Sequence, residues 1–342
     1  MAGASAPTKS TLQSLLTQLD EIERGPGSGS ITFPGGRLEV SNLGKVFWPG
    51  GSERTRPTRS RPSPSGPGAL TKGDLFRHYV RVAPLILPVL ADRPLVMKRF
   101  PNGIAGSPFY QHRAPDKVPD GVRIERVATG TETRPHLVGG LLTTLLYTAQ
   151  LGSISQDPWF SRVTSPAVID HVAIDLDPPD GLPYARVLDV ARWVRDALHS
   201  LKAPGFAKTS GAGGLHVYVP VAAGTPYESG FLFAQLVATM VAERHPKQAT
   251  VERSIKARGR RIYVDYMQNV LGKTLASAYS ARASEFAGVS TPLTWEEVEE
   301  GVEPQDFTIA SFAQRIKDAG DPWAGLRKAK GADLRALRSI KK

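Results

Sequence analysis

Cysteine is absent from all 342 residues. Its absence excludes disulfides, thiolate catalysis and cysteine-ligated zinc, and it fits a reducing cytoplasm. Long apolar runs are missing as well: none approaches the ~20 residues that a membrane-spanning helix needs. No charged-then-apolar export pattern opens the chain, so the expectation is a cytoplasmic protein with no membrane partner. Acids are outnumbered, with 32 Asp and Glu against 43 Lys and Arg, for a net charge of +11. Such a balance suits a polyanionic partner, nucleic acid first, and equally a basic surface that only aids solubility. Apolar residues make up 41% of the chain, which suits one large domain or two packed modules.

The apolar residues fall into readable patterns. Leu12, Leu15, Leu16, Leu19 and Ile22 follow helical spacing and predict a helix over Thr11–Glu23. Its apolar stripe can dock on the body or on a partner. Gly25-Pro-Gly-Ser-Gly-Ser30 then reads as a flexible linker. Residues 31–47 alternate like one or two short strands. Pro49–Gly68 reads as a mobile loop whose Arg54, Arg56, Arg59 and Arg61 either touch a phosphate backbone or are solvated. Thr71 can cap a helix from Lys72 to about Leu90. Further helices are expected over Leu141–Leu151, Tyr184–Leu201 and Phe231–Arg244. Strands are expected at Val96–Arg99, Val168–Leu176, Lys208–Val221 and Arg260–Tyr266. The alternation lacks a strict βαβ rhythm and no repeat is visible, which predicts an α+β enzyme of two packed modules.

Three stretches carry chemistry. In His171-Val-Ala-Ile-Asp-Leu-Asp-Pro178, strand alternation puts Asp175 and Asp177 on one side. Two adjacent carboxylates repel, and a divalent cation between them removes that cost and creates a phosphate-handling site. A pair of solvated acids at a strand end is the plainer alternative. In Thr209-Ser-Gly-Ala-Gly-Gly-Leu-His-Val-Tyr218, the glycines let backbone amides approach a phosphate, Ser210 adds a donor, and His216 can contact a phosphate oxygen or move a proton. A glycine turn with a packed histidine would look the same. In the third stretch Asp265 ends an apolar strand among Arg258, Lys273 and Arg282. That acid can form a structural ion pair or serve as a third metal ligand beside triphosphate-binding cations.

The ordered set I-D-L-D-P, S-G-x-x-G-L-H-V-Y, V-D-Y-x-Q-N and G-K-T…Y-S-x-R resembles the polymerase domain of bacterial ligase D, in the archaeo-eukaryotic primase superfamily. Supporting stretches are Val40–Pro49, Leu70–Phe76, Arg93–Gly103 and Pro108–Tyr110, and the match runs over roughly residues 36–320. The resemblance implies a primase-polymerase core with an N-terminal α/β module beside an RNA-recognition-motif-like catalytic sheet. It implies template-dependent nucleotidyl transfer with two manganese or magnesium ions, manganese favoured and ribonucleotides readily used. Asp175, Asp177 and Asp265 match the metal-binding acids. Ser210, His216, Lys273 and Arg282 match the triphosphate contacts, and Arg258 a basic residue near primer and incoming nucleotide. Lys45 and Lys72 fall where the family binds the downstream 5′-phosphate of gapped or broken DNA, with ordinary surface charge as the alternative. Phe109 and Tyr110 fall where aromatics stack on the template, with core packing as the alternative.

Two departures stand out. The family usually has Lys where this chain has Gly213, so one phosphate contact is missing or supplied elsewhere. It often has His-Pro-Trp where this chain has Asp157-Pro-Trp159. With the long basic loop, these suggest a stand-alone branch, bacterial and nucleoid-associated, working with nucleoside triphosphates and a separate DNA ligase. The expected organisation is an N-terminal helix and linker over 1–30, a catalytic domain over 31–325 and a basic tail over 326–342. The competing readings are a metal-dependent nuclease or phosphatase and a non-catalytic DNA-end-binding protein.

Overall fold

The computed structural model describes residues 6–50, 68–129 and 132–335. The expected mobile loop and its four arginines lie outside the described residues apart from the loop's ends. Helix α1 (Lys9–Arg24) buries Leu15 and Leu19 completely. It docks on the body, against α2 (Lys72–Leu90). Arg77 of α2 holds it there by ion pairs to Asp20 and Glu23. The stretch expected to be a flexible linker is instead a turn followed by a strand. Gly27 turns with φ +70° and donates its N–H to Ile22 O, and Gly29 and Ser30 already pair in the hairpin Gly29–Phe33/Gly36–Val40. Helix α3 (Leu142–Gln150) packs on α2 and completes this side of the molecule.

The second layer is a seven-stranded sheet. Its order is Ala249–Thr250, Ile262–Asp265, Ser165–Asp177, Leu215–Pro226, Phe206–Thr209 and Pro292–Leu293, with Ser161–Arg162 paired off this path to Ser165–Asp177. All neighbours run antiparallel except the first two. Lys208–Val221 is thus two strands, because the turn over Ser210–Gly214 reverses the chain. Helices α4 (Tyr184–Ser200) and α5 (Tyr227–Arg244) cover one face. Val172, Ile174 and Leu176 point into that face and are fully buried. Alternation sends Ala173, Asp175 and Asp177 to the opposite face, toward the N-terminal layer. One continuous apolar core runs through both layers. Leu326–Leu334, expected within a basic tail, packs on the sheet. Ala332 bridges Val221 and Leu334 is buried. No helix among the described residues is long and apolar enough to cross a membrane.

Candidate active site

The acidic strand Ser165–Asp177 is central, and its neighbours bring the chemistry to it. Asp175 faces His216 on one side and Asp265 on the other in the strand register. One oxygen from each of Asp175, Asp177 and Asp265 lies within 4.8 Å of the others. Asp175 and Asp265 are buried, and Asp177 is exposed at the mouth. Burial, with the Asp265 charge beside it, pushes the Asp175 carboxyl up to about 7. Desolvation and the charges of Asp175 and Asp265 push Asp177 up to about 7 as well. The nearby Arg258 and Arg282 pull the other way without cancelling the effect. A cluster of acids left uncompensated by protein cations has the donor set and charge that suit divalent ions.

The motif residues around the acids hold them in place. Asp265 accepts hydrogen bonds from Tyr263 Oη (3.2 Å), Met267 N (2.7 Å) and Gln268 Nε2 (3.0 Å). Asn269 clamps the edge of the acidic strand: its Oδ1 accepts from Ala173 N (2.8 Å) and its Nδ2 donates to Ala173 O (2.7 Å). Arg258 lies 3.7 Å over the Tyr263 ring, and its guanidinium donates to Glu252 O and Arg253 O.

Ser210 shapes the glycine turn. Its Oγ accepts from Ala212 N (3.1 Å) and Gly214 N (3.0 Å). A Cβ on Gly214 would fall 2.5 Å from Leu176 O, and one on Gly211 would fall 2.5 Å from Arg282 Cγ. Glycine at these two positions lets the turn close on the acidic strand and on Arg282. His216 Nε2 lies 3.2 Å from Asp175 Oδ1. Lys273 is exposed beyond the Asp265 strand, and its side chain has no ion pair among the described residues.

Two site residues escaped the sequence reading. Lys208 is fully buried and pairs with His216 in the register. Its Nζ lies 2.7 Å from His216 Nδ1, 2.9 Å from Ala276 O and 2.6 Å from Ser290 Oγ. Burial and Arg282 hold the Lys208 ammonium well below its usual range, and burial, Lys208 and Arg282 do the same to His216. The signal was available, because Lys208 lies two residues before Ser210 on a short strand. Asp157 is the other. It accepts from Ser155 Oγ at 2.7 Å, and burial raises its carboxyl despite Arg282, Lys98 and Lys208.

The remaining predicted residues form a separate patch on the N-terminal layer. Lys45 Nζ donates to Asn102 Oδ1 (2.8 Å), and Lys72 Nζ donates to Ser41 O (3.0 Å). Burial, Lys45 and Arg99 lower Lys72 to about 8. Lys72 is the first residue of α2, whose opening N–H groups are already taken by Lys45 O, Leu43 O and Thr71 Oγ1, so the two lysine side chains supply the positive charge there. Phe109 and Tyr110 are 45% and 64% exposed, which excludes the core-packing alternative. They pair with Arg99 and Lys98 across a two-strand register, each ring beneath a cation.

Comparison with known proteins extends these observations. The family model described as "LigD, primase-polymerase domain" matches residues 71–323. The bifunctional non-homologous end joining protein LigD of Bacillus subtilis is 32% identical over 256 residues, covering 74% of this chain and 41% of that protein. The multifunctional LigD of Pseudomonas aeruginosa is 32% identical over 257 residues, covering 74% of this chain and 30% of that protein. The chain thus matches less than half the length of these relatives. Among solved structures, the polymerase domain of Mycobacterium tuberculosis ligase D in complex with DNA superposes with a TM-score of 0.74 at 26% identity. That match covers 86% of this chain and 99% of the domain.

Proposed function

The chain belongs to the ligase D primase-polymerase family, and from that premise we propose that it is a template-dependent DNA-repair polymerase. It adds nucleotides, ribonucleotides among them, to a primer 3′-hydroxyl at short gaps or broken ends. The observation that carries the reading is the cluster of Asp175, Asp177 and Asp265, with oxygens within 4.8 Å of one another and two carboxyls pushed up to about 7. Two divalent ions, manganese favoured, would be held by these acids and would supply neutralisation of phosphate charge and a lowered pKa at the attacking hydroxyl.

The chain's own residues do the rest. The Ser210–Gly214 turn and the neutral His216 face the triphosphate side of the triad. Lys273 and Arg282 supply charge for its β- and γ-phosphates. Arg258, braced on Tyr263, lies beside Asp177 near the primer end. Lys45 and Lys72 are suited to a downstream 5′-phosphate, and Phe109 and Tyr110 to stacking on template bases. That the similar mycobacterial domain was solved in complex with DNA supports DNA as the partner. A separate ligase would seal the product.

The test is primer extension on a gapped duplex with manganese and nucleoside triphosphates. Extension by the natural chain, lost in Asp175→Ala and Asp177→Ala with DNA binding retained, is expected. Shortening of the primer, or full extension by either variant, would overturn the reading.

A further inference from the structure

A cavity of about 330 Å³ lies on the same sheet face as the triad. It lies four residues back along the acidic strand, at His171 rather than Asp175, or ~13 Å at the rise of a strand. Tyr218, opposite Ala173, stands between the two sites. The walls are aromatic, from Phe160, Tyr218 and Trp323. Three polar groups sit in these walls. Tyr218 is 6% exposed, and its hydroxyl has no hydrogen bond among the described residues. Ser277 Oγ is buried without a partner. His171 is oriented by Asp170, whose Oδ1 lies 2.6 Å from Nδ1, which leaves Nε2 to the cavity. Buried polar groups are almost always paired in folded proteins, so the unpaired Ser277 Oγ, with Tyr218 Oη and His171 Nε2 turned to the same cavity, points to a ligand.

Charge narrows the ligand's class. Arg93 and Arg162 both bind the single carboxylate of Asp170, leaving a surplus of positive charge. Arg327, ion-paired to Asp321, lines the mouth. An aliphatic anion would leave the aromatic walls and the hydroxyls unused. We propose that this cavity binds a small planar heteroaromatic ring with a hydrogen-bonding edge and one anionic group, the chemistry of a nucleoside monophosphate. The ring would lie among Phe160, Tyr218 and Trp323, with its edge on Tyr218 Oη, Ser277 Oγ and His171 Nε2, and the anion toward Arg327. The site uses none of the triad acids and needs no metal, so it stands or falls independently of the polymerase reading.

The experiment is calorimetric titration of the full chain with AMP in EDTA, with adenosine and inorganic phosphate as separate arms. AMP is expected to bind more tightly than either part. Tyr218→Phe with Ser277→Ala should weaken AMP roughly 25-fold, at about fivefold per hydrogen bond. Ala329→Trp, which fills the mouth, should abolish binding, and Asp175→Asn should leave it unchanged. Absence of AMP binding at millimolar concentration overturns the proposal. So does binding that survives both cavity variants, or binding that disappears with Asp175→Asn. Phosphate alone binding as tightly as AMP would reduce the site to an anion contact and refute the aromatic assignment.

Discussion

Replacing Asp175 with its amide should make the metal-free protein more stable while destroying its metal site. Asp175 is 7% exposed, and burial and Asp265 raise its carboxyl from 3.8 to about 7. At about 1.4 kcal/mol per pH unit, the ionised side chain costs the folded state roughly 4 kcal/mol. The folded protein binds this proton more tightly than the unfolded chain does. The penalty is therefore absent below pH ~4, grows between 4 and 7, and is complete above 7. Asparagine keeps the shape and an oxygen acceptor for His216 Nε2, 3.2 Å away in the natural chain, but cannot ionise. It also removes one repelling charge from Asp177. In EDTA at pH 8, Asp175→Asn should gain up to roughly 4 kcal/mol, or about 6 °C in Tm for a chain of this size. At pH 4 the two proteins should melt together. Added manganese should raise the Tm of the natural chain at pH 8 and leave the variant nearly unmoved. Thermal unfolding followed by circular dichroism measures all of this. A metal-free variant no more stable than the natural chain at pH 8 would refute the claim that the acids repel one another uncompensated.

Three further outcomes are expected. Lys72, lowered to about 8 by burial, Lys45 and Arg99, should lose its charge as the pH rises past that value. The preference for a 5′-phosphorylated gap should fade between pH 7 and 9, and Lys72→Met should remove both the preference and its pH dependence in extension assays. Phe109→Ala with Tyr110→Ala should weaken template binding by ~1–3 kcal/mol per stacked base without lowering Tm, because both rings are exposed; fluorescence anisotropy on a 3′-overhang reads this. Gly213→Lys should tighten nucleotide binding: a Cβ at this position would meet nothing nearer than Pro178 Cγ, at 3.9 Å, so a lysine fits. A charge-assisted hydrogen bond of ~1.5–3 kcal/mol would lower KM for the triphosphate tenfold or more, and an unchanged KM would refute a phosphate near this turn.

Much of the fold was legible because its signals are local. Thr71 and Asp74 make a capping box, and α2 starts at Lys72 where the sequence places it. The acids at 175 and 177 share a face by strand alternation alone, and their convergence with Asp265 follows once the Asp265 strand pairs beside them. What local pattern could not show is which partner a polar side chain finds across the sheet. Ser210 reads as a phosphate donor, yet its oxygen accepts two amides of its own turn. Lys208 reads as an ordinary strand lysine, yet it is fully buried, with Nζ 2.7 Å from His216 Nδ1. That contact leaves Nε2, on the Asp175 side, as the ring nitrogen facing the metal site. Asp157 stands where the family that the motifs resemble often carries histidine, and Arg282, Lys98 and Lys208 all act on its carboxyl. Against the family pattern that the motifs resemble, with lysine at Gly213 and histidine at Asp157, the proposed triphosphate side carries one positive charge fewer and one acid more. The three acids of the proposed metal site still converge. On the proposed reading the departures fall on nucleotide affinity and spare the acids, a division visible only once the side chains are placed in space.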